Sequence, residues 1–167
     1  MKAAVAVIFR DDNSRIKLLY IKRATNPHDP WSGHIAFPGG TYQKSDGDLF
    51  HTTIREVKEE LCINLEEDAV FIRKLELVRT IIKSFEIHPF LFKLRKNGSI
   101  NICIPNDEVD EIYWIPIDEL KIGLCRRFIK RINDVWTVYC YRWRNIKIWG
   151  ATYRITRKLI QNPWLFK

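Results

Sequence analysis

Apolar and polar positions alternate weakly from Met1 to Phe9, a Val- and Ala-rich stretch that predicts a buried strand. Asp11, Asp12, Asn13 and Ser14 form a turn cluster. Ile16 to Ile21 then reads as a second strand, completing a hairpin. Between Arg23 and Ser32 the Asn-Pro and Asp-Pro steps disfavour helix and predict a loop. His34 to Phe37 is short and extended, and Pro38-Gly39-Gly40 turns the chain sharply. Apolar residues recur at helical spacing from Gly47 to Leu61. Val70 to Thr80 and Glu86 to Leu94 read as strands with a turn near Lys83-Ser84, and Asn97-Gly98 is a hairpin-type turn signal. Ile112 to Ile115 is a further strand, Pro116 to Leu120 opens a short helix, and Val135 to Arg142 is aromatic and β-branched, hence strand. Ile148 to Ile160 predicts a closing helix despite Gly150. Strands and helices interleave without regular βαβ spacing, so the expected class is α/β, a mixed sheet with helices packed on it. No repeat or linker interrupts residues 1–167, which predicts one domain.

The helix ending at Leu61 carries the chemistry. On a wheel advancing about 100° per residue, Glu60 falls about 40° and Glu59 about 60° from Glu56, on opposite sides, so three carboxylates share a face. Phe50, Ile54, Val57 and Leu61 form a compact apolar stripe on another. Like charges at such spacing repel by a few tenths of a kcal/mol per pair. Arg55 and Lys58 lie about 100° and 160° from Glu56 on that wheel. They are therefore not expected to face the cluster and neutralise it. A divalent cation can, since Mg²⁺ takes carboxylate oxygens together with waters and substrate phosphates. The plainer alternative is a solvated acidic face. Just upstream, Phe37-Pro38-Gly39-Gly40 is a tight turn whose glycines leave carbonyl oxygens open to a metal or a phosphate.

Composition narrows the field. Of 167 residues, 46% are hydrophobic and 29% charged, a globular mix that excludes disordered and collagen-like chains. The longest apolar run, Ala3 to Phe9, is far short of the roughly 20 residues a bilayer span needs. No signal-peptide cleavage pattern follows it, so the expectation is a cytoplasmic protein without membrane contact. The net charge of +8 is uneven: residues 121–167 hold 12 Lys and Arg against Asp134 alone. Such an end suits substrate phosphates, nucleic acid or an anionic membrane surface, or simple solvation of a basic helix face. Trp136, Trp143 and Trp149 among Arg142, Arg144 and Lys147 resemble a nucleic-acid surface. The favoured reading instead buries the aromatics and leaves the cations facing solvent or a rim. Cys62, Cys103, Cys125 and Cys140 contain no CxxC pair, which argues against zinc and thioredoxin-type sites. Free buried thiols are expected, with disulfides reserved for a hyperthermophile source.

The segment GGTYQKSDGDLFHTTIREVKEELCI resembles the Nudix box, G-x5-E-x7-R-E-U-x-E-E-x-G-U with U aliphatic. Arg55, Glu56, Val57, Glu59 and Glu60 match its core. The upstream acid is Asp46 instead of Glu, with eight residues between it and Arg55 where the pattern has seven. Cys62 occupies the place of the last glycine, a helix stop expected at positive φ, where a side chain costs about 1 kcal/mol unless Asn64 takes over the turn. Beyond the box, LLYIKR, DPWSGHIAFPGG, IHPFLFKL, NDEVDEIYWIPIDEL and IWGATYRI are similar in order to the coenzyme A pyrophosphatase-like branch. That branch's substrate motif has an Arg where this chain has Asp29, four residues before Gly33. Coenzyme A-like, ADP-ribose-like and related nucleotides therefore all stay open.

The resemblance implies a Nudix-type α/β/α sandwich with a mixed β-sheet. It also implies Mg²⁺- or Mn²⁺-dependent cleavage of the diphosphate in a nucleoside diphosphate linked to a group X. Carried over residue by residue, Glu56 and Glu60 are the principal metal ligands. Glu59 is a ligand or a supporting acid, the carbonyl of Gly40 or Gly39 a further ligand, and Arg55 the residue that holds the glutamates by charge-assisted hydrogen bonds. Glu56, Glu59 and Glu108 are the candidates for the general base, Glu108 first. Arg23, Trp31 and Phe37 are expected to contact substrate, while His34 and His88 are expected to be structural. The rivals are a nucleoside triphosphate pyrophosphatase and a non-catalytic nucleotide- or RNA-binding module. Family habit suggests a homodimer.

Overall fold

The computed structural model describes residues 1–27, 29, 31–80, 85–95, 102–129 and 133–166. In chain order they form β1 (Lys2–Asp12), β2 (Arg15–Arg23), β3 (Ile35–Ala36), β4 (Gly39–Thr41), α1 (Leu49–Leu61), α2 (Leu65–Asp68), β5 (Ala69–Lys74), β6 (Val78–Arg79) and β7 (Glu86–Leu94). There follow β8 (Val109–Pro116), β9 (Lys121–Ile129), β10 (Asp134–Trp143), β11 (Ile146–Trp149) and α3 (Gly150–Gln161). Short 3-10 turns lie at Lys44–Asp46, Ile117–Glu119 and Pro163–Phe166. None of the described helices is long and apolar enough to cross a membrane.

The large sheet is mixed and runs β3-β2-β1-β7-β5, with β4 added to β1, β6 to β7 and β8 to β2. β1 lies parallel to β7 and antiparallel to its other partners. With β7 filling one edge of β1 from Lys2 to Phe9, the opposite edge is shared. Residues Phe9 to Asp12 pair with β2, and Ala3 to Val5 pair with β4. The sheet therefore branches at the glycine turn.

Alternation along β1 and β2 sorts the core into two layers. Ala4, Ala6, Ile8, Leu19 and Ile21 meet Val57 and Leu61 of α1. Val7, Phe9, Leu18 and Tyr20 meet Tyr153, Ile155 and Leu159 of α3. Alanines under α1 let that helix approach the sheet closely. The sandwich expected from the sequence is thus present. A second, antiparallel sheet β11-β10-β9 lends Tyr141, Ile146 and Ile148 to the α3 side.

Several boundaries shift for identifiable reasons. α1 begins at Leu49, because the Asp48 carboxylate accepts the His51 N–H at 2.9 Å and caps it. The expected closing helix starts only at Gly150, since Ile146 and Ile148 alternate into the core as β11. Val70 to Thr80 divides into β5 and β6. The turns expected near Lys83-Ser84 and at Asn97-Gly98 lie outside the described residues. Cys62 ends α1 with φ 61°, the positive value expected of the glycine it replaces, while the Asn64 side chain caps α2.

The cysteines correct an expectation: all four are paired, Cys62 with Cys103 and Cys125 with Cys140. Folding brings each pair together, with Cα atoms 5.7 Å and 6.1 Å apart. The Cys103 N–H donates to the Leu61 carbonyl at 3.3 Å, drawing its segment to the end of α1. Cys125 and Cys140 sit diagonally across β9 and β10. Replacing Cys62 and Cys103 together by Ser opens the longer of the two loops. Chain-entropy reasoning gives a loss of about 3–4 kcal/mol, or roughly 10 °C in Tm, readable by calorimetry without reductant.

Candidate active site

α1 presents its acidic face to the branch point of the sheet. The Glu60 side chain is 1% exposed, and its Oε2 accepts the Gly39 N–H at 2.7 Å. Among the described residues the nearest cation is Arg23, whose Nη1 lies 4.0 Å from Glu60 Oε1. Arg23 is already engaged: its Nε and Nη2 reach Asp29 Oδ2 at 2.9 and 2.8 Å. With so little compensation, burial pushes the Glu60 carboxyl up to about 8. Burial also raises Glu56, against the pull of Arg55.

Arg55 overturns the wheel argument. Its Nη2 donates to Glu56 Oε1 and its Nη1 to Glu59 Oε2, both at 2.8 Å. Its Nε donates to Asp46 Oδ1 at 2.7 Å. The wheel tracks where a side chain leaves the helix, whereas a long guanidinium can swing sideways to acids on a neighbouring azimuth. Asp46, the displaced upstream acid, also accepts from the Thr52 hydroxyl at 2.8 Å and the Gln43 N–H at 3.0 Å. The guanidinium holds the Asp46 carboxyl far below the usual carboxylate range. Asp46 ends the Lys44–Asp46 turn, and Gly47 follows it with φ 77°.

The acids that converge are Glu56, Glu60 and Glu108, with one ligand oxygen from each lying within 4.8 Å of the others. Glu108 comes from the segment entering β8. Glu59 is half-exposed and drawn to Arg55, so it lines the cleft without joining that trio. Gly40 lies under Glu56: a Cβ there would come 2.5 Å from the Glu56 Cδ. The cleft around these groups encloses about 530 Å³, and Arg23, Arg55, Thr41 and Gln43 complete its walls. Hard oxygen donors in this number suit Mg²⁺ or Mn²⁺.

Two expected substrate contacts lie elsewhere. Phe37 is corrected: it is 3% exposed and stacks on Tyr20 in the core, centroids 4.8 Å apart, supporting the glycine turn from beneath. Trp31 is absent from the cleft lining and sets its ring edge-on to Phe85 at 5.7 Å. His34 packs against Trp149, and burial carries it down to about 4. His88 is buried and likewise lowered. Neither histidine lines the cleft. A residue the sequence reading missed is Asn106, which bonds the segment before β8 to α1.

The raised Glu60 carboxyl predicts a pH signature. The folded state binds this proton more tightly than the unfolded chain, whose carboxyl stays near 4.5. Its contribution to stability is complete below that value and is lost as pH rises through about 8. Below pH 6.5 the lowered His34 and His88 act in the opposite sense, so in EDTA the fall in Tm is expected from pH 6.5 to pH 8.5, with excess Mg²⁺ raising Tm more at the upper end. A flat profile in EDTA, measured by scanning fluorimetry, would contradict this.

Residues 1–135 match the model of a family described as NUDIX domain. A Pectobacterium atrosepticum protein named uncharacterized Nudix hydrolase NudL is 28% identical over 134 residues, covering 77% of this chain and 66% of that protein. The human mitochondrial coenzyme A diphosphatase NUDT8 is 26% identical over 157 residues, covering 86% of this chain and 61% of that one. The chain thus spans less than two thirds of the length of these curated relatives. Among solved structures, a Caenorhabditis elegans Ap4A hydrolase in a binary complex superposes with a TM-score of 0.57 at 22% identity. It covers 70% of this chain and 80% of that one, and at this identity the likeness concerns the fold.

Proposed function

The chain belongs to the NUDIX domain family, and from that premise we propose that it is a divalent-metal-dependent hydrolase of nucleoside diphosphates linked to a second group. The observation that carries this reading is the convergence of Glu56 and Glu108 on the buried Glu60 carboxylate, whose nearest cation among the described residues is shared with Asp29. An unbalanced buried carboxylate is costly unless something cationic joins it. Glu56 and Glu60 are the residues that would hold Mg²⁺ or Mn²⁺, with Glu108 closing the third side and Gly40 leaving room beside Glu56. When bound, the cation supplies charge neutralisation and Lewis-acid polarisation at the phosphoryl oxygens. Arg55 fixes the Glu56 carboxylate and keeps Glu59 at the rim. Arg23, tethered by Asp29, offers a guanidinium to a substrate phosphate. Glu108, exposed at the mouth, is first choice to take the proton from the attacking water. Water adds to one phosphorus, the bridging P–O bond breaks, and two phosphate-bearing fragments leave.

The substrate class stays at nucleotide diphosphates, coenzyme A-like, ADP-ribose-like or dinucleotide. A diphosphatase and an Ap4A hydrolase among the similar proteins agree with that breadth. Asp29 is committed to Arg23 and so does not offer the cation of the coenzyme A motif. The nucleic-acid module is disfavoured by the aromatic rings themselves: Arg127 lies over Trp149 at 5.5 Å and Arg144 over Trp143 at 4.3 Å. The protein's own guanidiniums thus cover faces on which a base would stack. The test is a panel of coenzyme A, ADP-ribose, diadenosine polyphosphates and nucleoside triphosphates with Mg²⁺ or Mn²⁺ and product analysis. Two phosphorylated products from a diphosphate are expected. Tight binding without turnover anywhere on the panel would favour the module.

A further inference from the structure

Glu108 differs from its two acidic neighbours in standing on an exposed connection instead of a helix. A carboxylate on such a segment would ordinarily sample many positions. Here both peptide groups of Glu108 are pinned. Its carbonyl accepts the Ala24 N–H at 2.8 Å, and its N–H donates to Asn106 Oδ1 at 2.9 Å. Asn106 does more than close a local turn. Its Oδ1 also accepts the Val109 N–H at 2.8 Å. Its Nδ2 donates to the Cys103 carbonyl at 3.0 Å and to the carbonyl of Glu60 at 2.8 Å. One amide thus joins the peptide N–H of Glu108 to the peptide carbonyl of Glu60, the residue whose carboxylate it faces across the cleft.

We propose that Asn106 is a positioning residue that sets the separation of Glu108 from Glu60 and so completes the oxygen cage for a divalent cation. The inference rests on reading this cleft as a cation site. Asparagine suits the task because it offers two donors and a two-lone-pair acceptor in one plane. Aspartate lacks the donors, and serine lacks the second group. The Cys62–Cys103 bond does not duplicate this work. It fixes the start of the segment at the end of α1, three residues before Asn106, and leaves the Glu108 N–H to the amide, while Ala24 holds the Glu108 carbonyl. Outer contacts of this kind typically carry a 10- to 100-fold share of metal affinity.

The test is a double-mutant cycle read by Mn²⁺ binding, using electron paramagnetic resonance and calorimetry below the melting range of every variant. Asn106→Ala and Glu108→Gln are each expected to weaken Mn²⁺ binding by about tenfold or more. The double variant should bind no more weakly than Glu108→Gln alone, because both changes remove one contribution. A purely structural role would lower Tm while leaving the Mn²⁺ Kd of the folded protein unmoved. Wild-type affinity in Asn106→Ala, unaltered affinity in Glu108→Gln, or losses that multiply in the double variant would overturn the proposal. If Asn106→Ala does not fold, Asn106→Ser takes its place, keeping a hydroxyl acceptor for the local turn without the amide's reach to Glu60 and adding no charge beside the cleft. Retained wild-type affinity there would be equally decisive. A wild-type chain that binds no Mn²⁺ would remove the reading of the cleft and this inference together. Mn²⁺ binding indifferent to Asn106 removes the inference alone.

Discussion

Glu60→Gln is expected to give a protein at least as heat-stable as wild type at pH 8 in EDTA, yet about a thousandfold slower in hydrolysis. The substitution keeps an oxygen to accept the Gly39 N–H, the contact now made at 2.7 Å. It removes a charge whose burial pushes the carboxyl up to about 8, so stability above neutral pH should not suffer. The amide cannot replace a charged ligand. Losing one of the acids that compensate phosphoryl charge corresponds to about 4 kcal/mol of transition-state stabilisation, hence the thousandfold figure. The pairing of retained stability with lost turnover makes the test sharp. Paired Tm and kcat measurements suffice, and a variant that still turns over with Mg²⁺ at near wild-type rate would dismiss Glu60 from the site.

The glycines supply the second large effect, and they should separate cleanly. Gly39 has φ 140°, and a Cβ there would overlap the Ala4 carbonyl oxygen and lie 2.6 Å from Val5 Cα. Both obstacles are backbone of the central strand and cannot step aside. Gly39→Ala should therefore cost more than about 3 kcal/mol, seen as a lower urea midpoint. At Gly40 the obstacle is the Glu56 side chain, which can move. Gly40→Ala should change stability by about 1 kcal/mol or less and turnover by about a hundredfold, since a displacement near 1 Å in a reacting constellation has that effect. Equal stability losses at the two positions would show that the turn is pliable and that Glu56 is not seated on it.

Much of this architecture is legible in the chain itself. The apolar stripe of α1 and the alternation of β1 and β2 encode the layers because burial acts on those periodicities directly. The turn before α1 was legible from two adjacent glycines. What escaped reading depends on long-range pairing. Phe37 precedes Pro-Gly-Gly and looks like a loop residue, but stacking on Tyr20 decides its fate. β9 carries Gly123, Arg126 and Arg127 among its apolar residues, which blurs its alternation. Cysteine spacing does not encode which thiols meet. Asn106 belongs to no periodic pattern, and its partner at Glu60 is 46 residues away in sequence. Arg55 was legible as a family residue, but its grip on Glu56 and Glu59 depends on where its flexible tip settles.

The shared edge of β1 divides that strand into two handles. Its Phe9–Asp12 end is zipped to β2, while its Ala3–Val5 end is held by the three residues of β4 and by the Ala6 N–H bond to the Pro38 carbonyl at 2.8 Å. Breathing of the short arm would unseat both glycines and loosen the floor under Glu56 without unzipping the hairpin. Amide hydrogen exchange should then resolve a low-energy local opening around residues 38–41, distinct from the global unfolding reported by β7 and the hairpin. Ions that occupy the cleft would slow exchange in that arm selectively.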